Sequence, residues 1–140
     1  MALDSTLTVL IADDSALVRE RLADLIAELE GVELVGQAHD TDTALEAIRR
    51  LKPHVMILDI RMPGGSGIQV LEAAKQEMGP PVAIMLTAFA YAQYRRKCLE
   101  AGAEYFFDKS SEFECVAETL EGLQRELTGR VVDKTGRNCP

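Results

Sequence analysis

Five short β-rich apolar runs alternate with five segments of helical spacing, and this order constrains the fold more than any single motif does. "LTVLIA" (7–12) leads into "SALVRERLADLIAELEG" (15–31), a helical pattern that stops at Gly31. "VELVGQA" (32–38) precedes the helical "TDTALEAIRRL" (41–51), which ends before Pro53. "VMIL" (55–58) precedes "SGIQVLEAAKQEM" (66–78), closed by Gly79-Pro80. "PVAIML" (81–86) precedes "YAQYRRKCLEA" (91–101), and "AEYFF" (103–107) precedes "EFECVAETLEGLQREL" (112–127). Strict β-α alternation predicts a parallel sheet with helices on both faces. The first, third and fourth runs lack in-out alternation, as expected of strands buried on both sides. With 140 residues there is room for five β-α units but not for an eight-fold barrel. The expected fold is therefore α/β, a flavodoxin-like, doubly wound, five-stranded parallel sheet of order 2-1-3-4-5 with five helices.

Residues 1–127 form one expected domain. Residues 128–140 lack periodicity and read as a flexible tail, too short for an output domain. A net charge of −8 with 47% hydrophobic residues describes a globular acidic protein and argues against direct binding to nucleic acid or anionic membrane. The longest apolar stretch, "PPVAIMLTAFAYA", is shorter than a membrane helix requires. The N-terminus lacks the basic start of a signal peptide. The three cysteines, Cys98, Cys115 and Cys139, form no CxxC pair and read as reduced thiols. Together these features place the protein in the cytoplasm.

In such folds ligands bind beyond the carboxyl ends of the strands, where the strand order reverses. Strand 1 ends in Asp13-Asp14, strand 3 in Asp59 and strand 4 in Thr87, and strand 5 is followed by Asp108-Lys109. Three carboxylates on one rim repel one another unless cations hold them ionised. Lys109 supplies one positive charge, and an oxygen-rich pocket without His or Cys favours Mg²⁺ as the second. An ionised Asp as nucleophile, with Lys109 and the Thr87 hydroxyl facing phosphoryl oxygens, describes a phosphoryl-transfer site. The competing structural reading of Asp13-Asp14 is a cap for the first helix.

"ADDS", "ILDIRMPGGSG", "MLTAF" and "GAEYFFDKS" resemble, in order and spacing, the four motif blocks of the response-regulator receiver domain of two-component signalling. The resemblance runs from about residue 7 to 127. It implies that Asp59 is the phospho-acceptor. Asp13, Asp14 and Asp59 would hold Mg²⁺, directly or through water, with the backbone carbonyl of Arg61 as a further ligand. Thr87 and Lys109 would engage the phosphoryl group, and Phe106 would be the switch aromatic. Met62-Pro63 and Gly67 match the family's turn after the acceptor strand. The implied partner is a histidine kinase or histidine phosphotransfer protein, with an unidentified downstream protein receiving the signal. The implied activity is that of a stand-alone phospho-acceptor rather than an enzyme with its own substrate. It would accept phosphate from small phosphodonors and hydrolyse its own acyl phosphate.

Ser110 stands where the family usually has proline, and "SSEFE" offers Ser111 and Glu114 as a capping box for the last helix. Arg61 and Phe89, two residues past Asp59 and Thr87, are expected to tune the lifetime of the acyl phosphate. Leu17 lies off the apolar stripe of the first helix (Val18, Leu22, Leu25, Ile26, Leu29). It reads either as a docking point for the phosphodonor or as a lone surface leucine. Tyr91, Tyr94 and Arg95 are a candidate output surface, or a solvated face. His39 and His54 lack partners at ligand spacing and read as structural. A phosphorylation-independent adaptor is the main alternative. An aspartyl-nucleophile phosphatase would want an acid at Arg61, and a flavodoxin a phosphate loop where Asp13-Asp14 stands.

Overall fold

A computed structural model describes residues 6–78 and 81–129. Its elements in chain order are β1 (Leu7–Ala12), α1 (Ala16–Ala27), β2 (Val32–Ala38), α2 (Thr41–Leu51), β3 (Val55–Leu58), β4 (Arg61–Met62), β5 (Gly65–Ser66), α3 (Gly67–Met78), β6 (Val82–Thr87), α4 (Ala92–Glu100), β7 (Tyr105–Asp108) and α5 (Cys115–Leu127). The main sheet has the order β2-β1-β3-β6-β7 with every pairing parallel. Counting only its own five strands, that is 2-1-3-4-5, the order expected from the sequence.

Successive residues of the central strands serve opposite faces, as the two-residue period of a strand demands. Leu10, Met56, Leu58, Met85 and Phe106 pack with Ile48 of α2, Val70 and Leu71 of α3 and Cys98 of α4. Val9, Ile11, Val55, Ile57, Ile84 and Phe107 pack with Leu22 and Ile26 of α1 and Val116 and Leu120 of α5. Each fully buried aliphatic side chain contributes about 2 kcal/mol, so double-sided burial is what holds the short central strands in place. Tyr105 lies on the α1/α5 side, opposite Phe106, and stacks on Phe107 with ring centres 6.0 Å apart.

β4 and β5 form a small antiparallel hairpin absent from the sequence reading. Gly64 at φ +88° supplies the left-handed residue after Pro63 that a tight Pro-Gly turn requires. The Pro63 carbonyl accepts the Thr41 N–H at 3.2 Å, which anchors the hairpin to the start of α2.

Several element boundaries differ from expectation. α1 ends at Ala27 rather than Gly31, with the backbone tightening through Leu29 N–H to Ile26 C=O at 3.0 Å. No basic residue in its last turn favours the helix dipole, and Glu28 and Glu30 follow. The Ser111/Glu114 capping box does not form, because α5 begins at Cys115 and Glu114 makes no side-chain cap. Glu112 Oε1 instead accepts the Asp108 N–H at 3.0 Å.

His54 has a structural role: its Nδ1 accepts the Thr8 N–H at 3.0 Å, tying the start of β3 to β1. His39 is exposed beside Asp40, the N-cap of α2. Cys98 is free and buried, and burial pushes its thiol up to about 11, a poor setting for reactivity. Cys115 is disulfide-bonded, which corrects the expectation of three reduced thiols, while Cys139 and the remainder of the tail from 130 onward lie outside the described residues. Among the described residues no helix is long and apolar enough to cross a membrane.

Candidate functional site

The carboxyl ends of β1, β3, β6 and β7 lie on one rim of the sheet, around the point between β1 and β3 where the strand order reverses, bringing distant side chains together. Asp13 follows β1 and is held at its N–H by Ala38 C=O at 3.0 Å. Its Oδ1 accepts the Ser15 N–H at 2.9 Å, and its Oδ2 lies 2.7 Å from Lys109 Nζ. Neither Asp13 nor Asp14 caps α1: Ser15 does, accepting the Val18 N–H at 3.2 Å. The capping explanation of the acidic pair is therefore set aside.

Asp59, one residue past β3, donates its N–H to Ala12 C=O at 3.0 Å. Its Oδ1 accepts the Ile60 N–H at 2.7 Å, and its Oδ2 accepts from Lys109 Nζ at 3.1 Å. The chain next turns away because Gly67 packs directly on the Asp59 carbonyl. A Cβ at Gly67 would overlap that oxygen and lie 2.8 Å from its carbon. The Gly67 N–H donates to Ile60 C=O at 2.7 Å.

Lys109 is positioned from β7 by its N–H, which donates to Thr87 C=O at 2.9 Å. Burial works against its charge, but hydrogen bonds and attraction from Asp13 and Asp59 outweigh that and raise its pKa above the ordinary lysine value. Asp59 is shifted upward, by burial first and by the charge of Asp13 second; Lys109 and the Ile60 N–H oppose this without cancelling it. One ammonium shared between two buried carboxylates leaves the pocket short of positive charge. One carboxylate oxygen from each of Asp13, Asp14 and Asp59 lies within 4.8 Å of the others. These are hard oxygen donors without imidazole or thiolate, and Asp14 is exposed, leaving room for water ligands. That donor set fits a Mg²⁺-type cation.

Thr87 is fully buried, and its Oγ1 accepts the Phe89 N–H at 3.0 Å. Phe106 is buried as well, with the Arg95 guanidinium 5.6 Å from its ring centre. Arg61 is exposed, and its guanidinium sits 4.0 Å over the Phe89 ring, joining the residues two past Asp59 and two past Thr87. The aromatic series continues through Tyr91, 6.3 Å from Phe89, to Tyr94, 5.9 Å further. Leu17 (65% exposed) and Tyr91 (54% exposed) are surface residues.

The loop after Lys109 is fixed without proline. The Asp108 carboxylate accepts both the N–H and the hydroxyl of Ser110, at 2.9 and 2.7 Å. Among the described residues no peptide bond is cis, so the 109–110 bond is trans.

Residues 9–121 match the model of the response regulator receiver domain family. The chain belongs to that family. An uncharacterized response regulatory protein of Vibrio cholerae is 38% identical over 120 residues, covering 86% of this chain and 49% of that protein. A protein-glutamate methylesterase/protein-glutamine glutaminase of Desulfotalea psychrophila is 40% identical over 108 residues, or 76% of this chain and 30% of its own length. This receiver chain thus spans half or less of these curated relatives. Among solved structures, the response regulator domain of Thermotoga maritima CheB superposes with a TM-score of 0.76 at 32% identity, covering 91% of this chain and 98% of that one. The isolated receiver domain of RcsB from Salmonella enterica, solved with a phosphomimetic, superposes at 0.80 with 25% identity, covering 91% and 92%.

Proposed function

We propose that Asp59 accepts a phosphoryl group from a histidine kinase, a histidine phosphotransfer protein or a small phosphodonor in the cytoplasm. On this reading residues 1–127 form a receiver whose state a downstream protein reads. The observation that carries the proposal is the shared pocket of three clustered carboxylates with Lys109 bridging Asp13 and Asp59. An Asp59 oxygen attacks phosphorus, the P–N bond of a phosphohistidine breaks, and the imidazole leaves with the electron pair and takes a proton from solvent. Bound Mg²⁺, held by Asp13, Asp14, Asp59 and the Arg61 carbonyl, would neutralise charge on the phosphoryl oxygens. Lys109 moves its pairing from Asp59 to a phosphoryl oxygen. The Thr87 hydroxyl turns to donate to another. Hydrolysis of the acyl phosphate by water returns the carboxylate and inorganic phosphate.

The movement of Thr87 releases the Phe89 N–H and disturbs the packing around Phe106 and Arg95. Tyr91, Tyr94 and Arg95 then form the surface that changes between two states, and Leu17, beside the acidic pair, faces the phosphodonor. Incubation with acetyl phosphate and Mg²⁺ is expected to add one phosphoryl group by intact-mass analysis, and neither Asp59→Ala nor EDTA-treated protein should gain it. An unmodified wild-type mass would leave the phosphorylation-independent adaptor as the better reading.

The stacked Arg61 and Phe89 span the mouth between the ends of β3 and β6, where water must approach the acyl phosphate. A cation–π contact of this kind is worth about 1 kcal/mol. Losing it should therefore speed dephosphorylation roughly fivefold. Both Arg61→Ala and Phe89→Ala are expected to shorten the lifetime of the phosphorylated protein, followed by release of inorganic phosphate. Unchanged or longer lifetimes in both would refute this account of the stack.

A further inference from the structure

Arg19, on α1, touches the backbone on which the acidic pair is built. Its Nη1 donates to the backbone carbonyl of Asp13 at 2.6 Å. That carbonyl belongs to the peptide group joining Asp13 to Asp14, so its orientation sets the direction in which Asp14 leaves the strand. The two acids depend on this peptide to different degrees. Asp13 is fixed independently, through its N–H and both carboxylate oxygens. Asp14 is exposed, and among the described residues no hydrogen bond or ion pair holds its carboxylate. Its oxygen nevertheless lies within 4.8 Å of ligand atoms on both Asp13 and Asp59.

We infer that Arg19 is a positioning residue for the cation site, clamping the Asp13–Asp14 peptide so that Asp14 stays aimed at the other two carboxylates. The clamp suits arginine. Its half-buried side chain rises from the end of the first turn of α1, its planar fork keeps one donor on the carbonyl, and its permanent positive charge sits behind an anionic cluster. This inference rests on the proposed Mg²⁺ site and deepens it. Residues that orient ligands from behind typically change metal affinity by 10–100-fold when removed.

The test is Mg²⁺ titration of the unphosphorylated protein by calorimetry or NMR, with thermal unfolding in EDTA alongside. Arg19→Met, which retains the apolar stem, is expected to weaken Mg²⁺ binding about tenfold or more, with folded spectra in EDTA like those of wild type. Arg19→Lys, which retains charge and a donor but not the fork, should fall between the two. If Arg19→Met does not fold, Arg19→Lys decides. Weaker Mg²⁺ binding than wild type supports the clamp, and equal binding overturns it. Wild-type-like affinity in a folded Arg19→Met protein also overturns the inference while leaving the Mg²⁺ site standing. Failure of wild type itself to bind Mg²⁺ removes the proposed site, and the clamp with it.

Discussion

Gly67→Ala is expected to destabilise the protein by on the order of 3 kcal/mol, although it adds one methyl group to a residue without unusual backbone angles. The reason is contact rather than conformation. The new Cβ would overlap the Asp59 carbonyl oxygen and lie 3.3 Å from Ile60 Cα. Both neighbours are backbone, so neither can rotate aside as a flexible side chain would. α3 must lift from the end of β3, stretching the 2.7 Å bond from Gly67 N–H to Ile60 C=O, or Asp59 must move. Either route also shifts the Asp59 carboxylate relative to Lys109. Denaturant unfolding should show the loss in midpoint, and phosphoryl uptake should fall with it. A Gly67→Ala protein as stable as wild type would mean that the junction of β3 and α3 is far softer than this packing implies.

Lys109→Met should cost about 3 kcal/mol in metal-free protein at neutral pH, because it leaves two buried carboxylates facing each other without a cation. The pH dependence has a definite sign. Burial, then Asp13, already raises the Asp59 pKa, and Lys109 is the main influence holding it down. An acid whose pKa is raised on folding binds its proton more tightly in the folded state. Its contribution to stability therefore falls as pH climbs from the unfolded value through the folded one. Removing Lys109 extends that window upward. The deficit is thus expected to be large at neutral pH and to shrink in mildly acidic buffer, where Asp59 takes up a proton. Denaturant midpoints in EDTA at the two conditions check this; an equal deficit at both would contradict the electrostatic account.

The alternation of strands and helices was legible because each central strand is buried on both faces and each helix carries a stripe. β1, β2, α2 and β3 begin and end where the pattern placed them. Asp13, Asp14, Asp59, Thr87 and Lys109 could be grouped from sequence because the topology of a parallel sheet puts all strand ends on one rim. Interactions that depend on loop paths were not legible. The hairpin at 61–66 follows from Pro63-Gly64 only once its contact with Thr41 is known. The Ser111/Glu114 box failed because α5 starts at Cys115, which makes Glu114 itself the N-cap residue rather than the third helical one, a shift that local spacing does not reveal. The Arg61–Phe89 stack joins residues 28 positions apart. The Arg19 clamp is local, but a lone arginine on an amphipathic helix gives no sign of where its fork will point.

The central claim, that the carboxylate at the end of β3 is a reversible phosphate acceptor, is tested most directly by trapping the acyl phosphate with borohydride and mapping the reduced residue by peptide mass spectrometry. The account predicts reduction at residue 59 alone, dependent on Mg²⁺ and on prior exposure to acetyl phosphate. Reduction at another aspartate, or at none while phosphate is nonetheless incorporated, would contradict it.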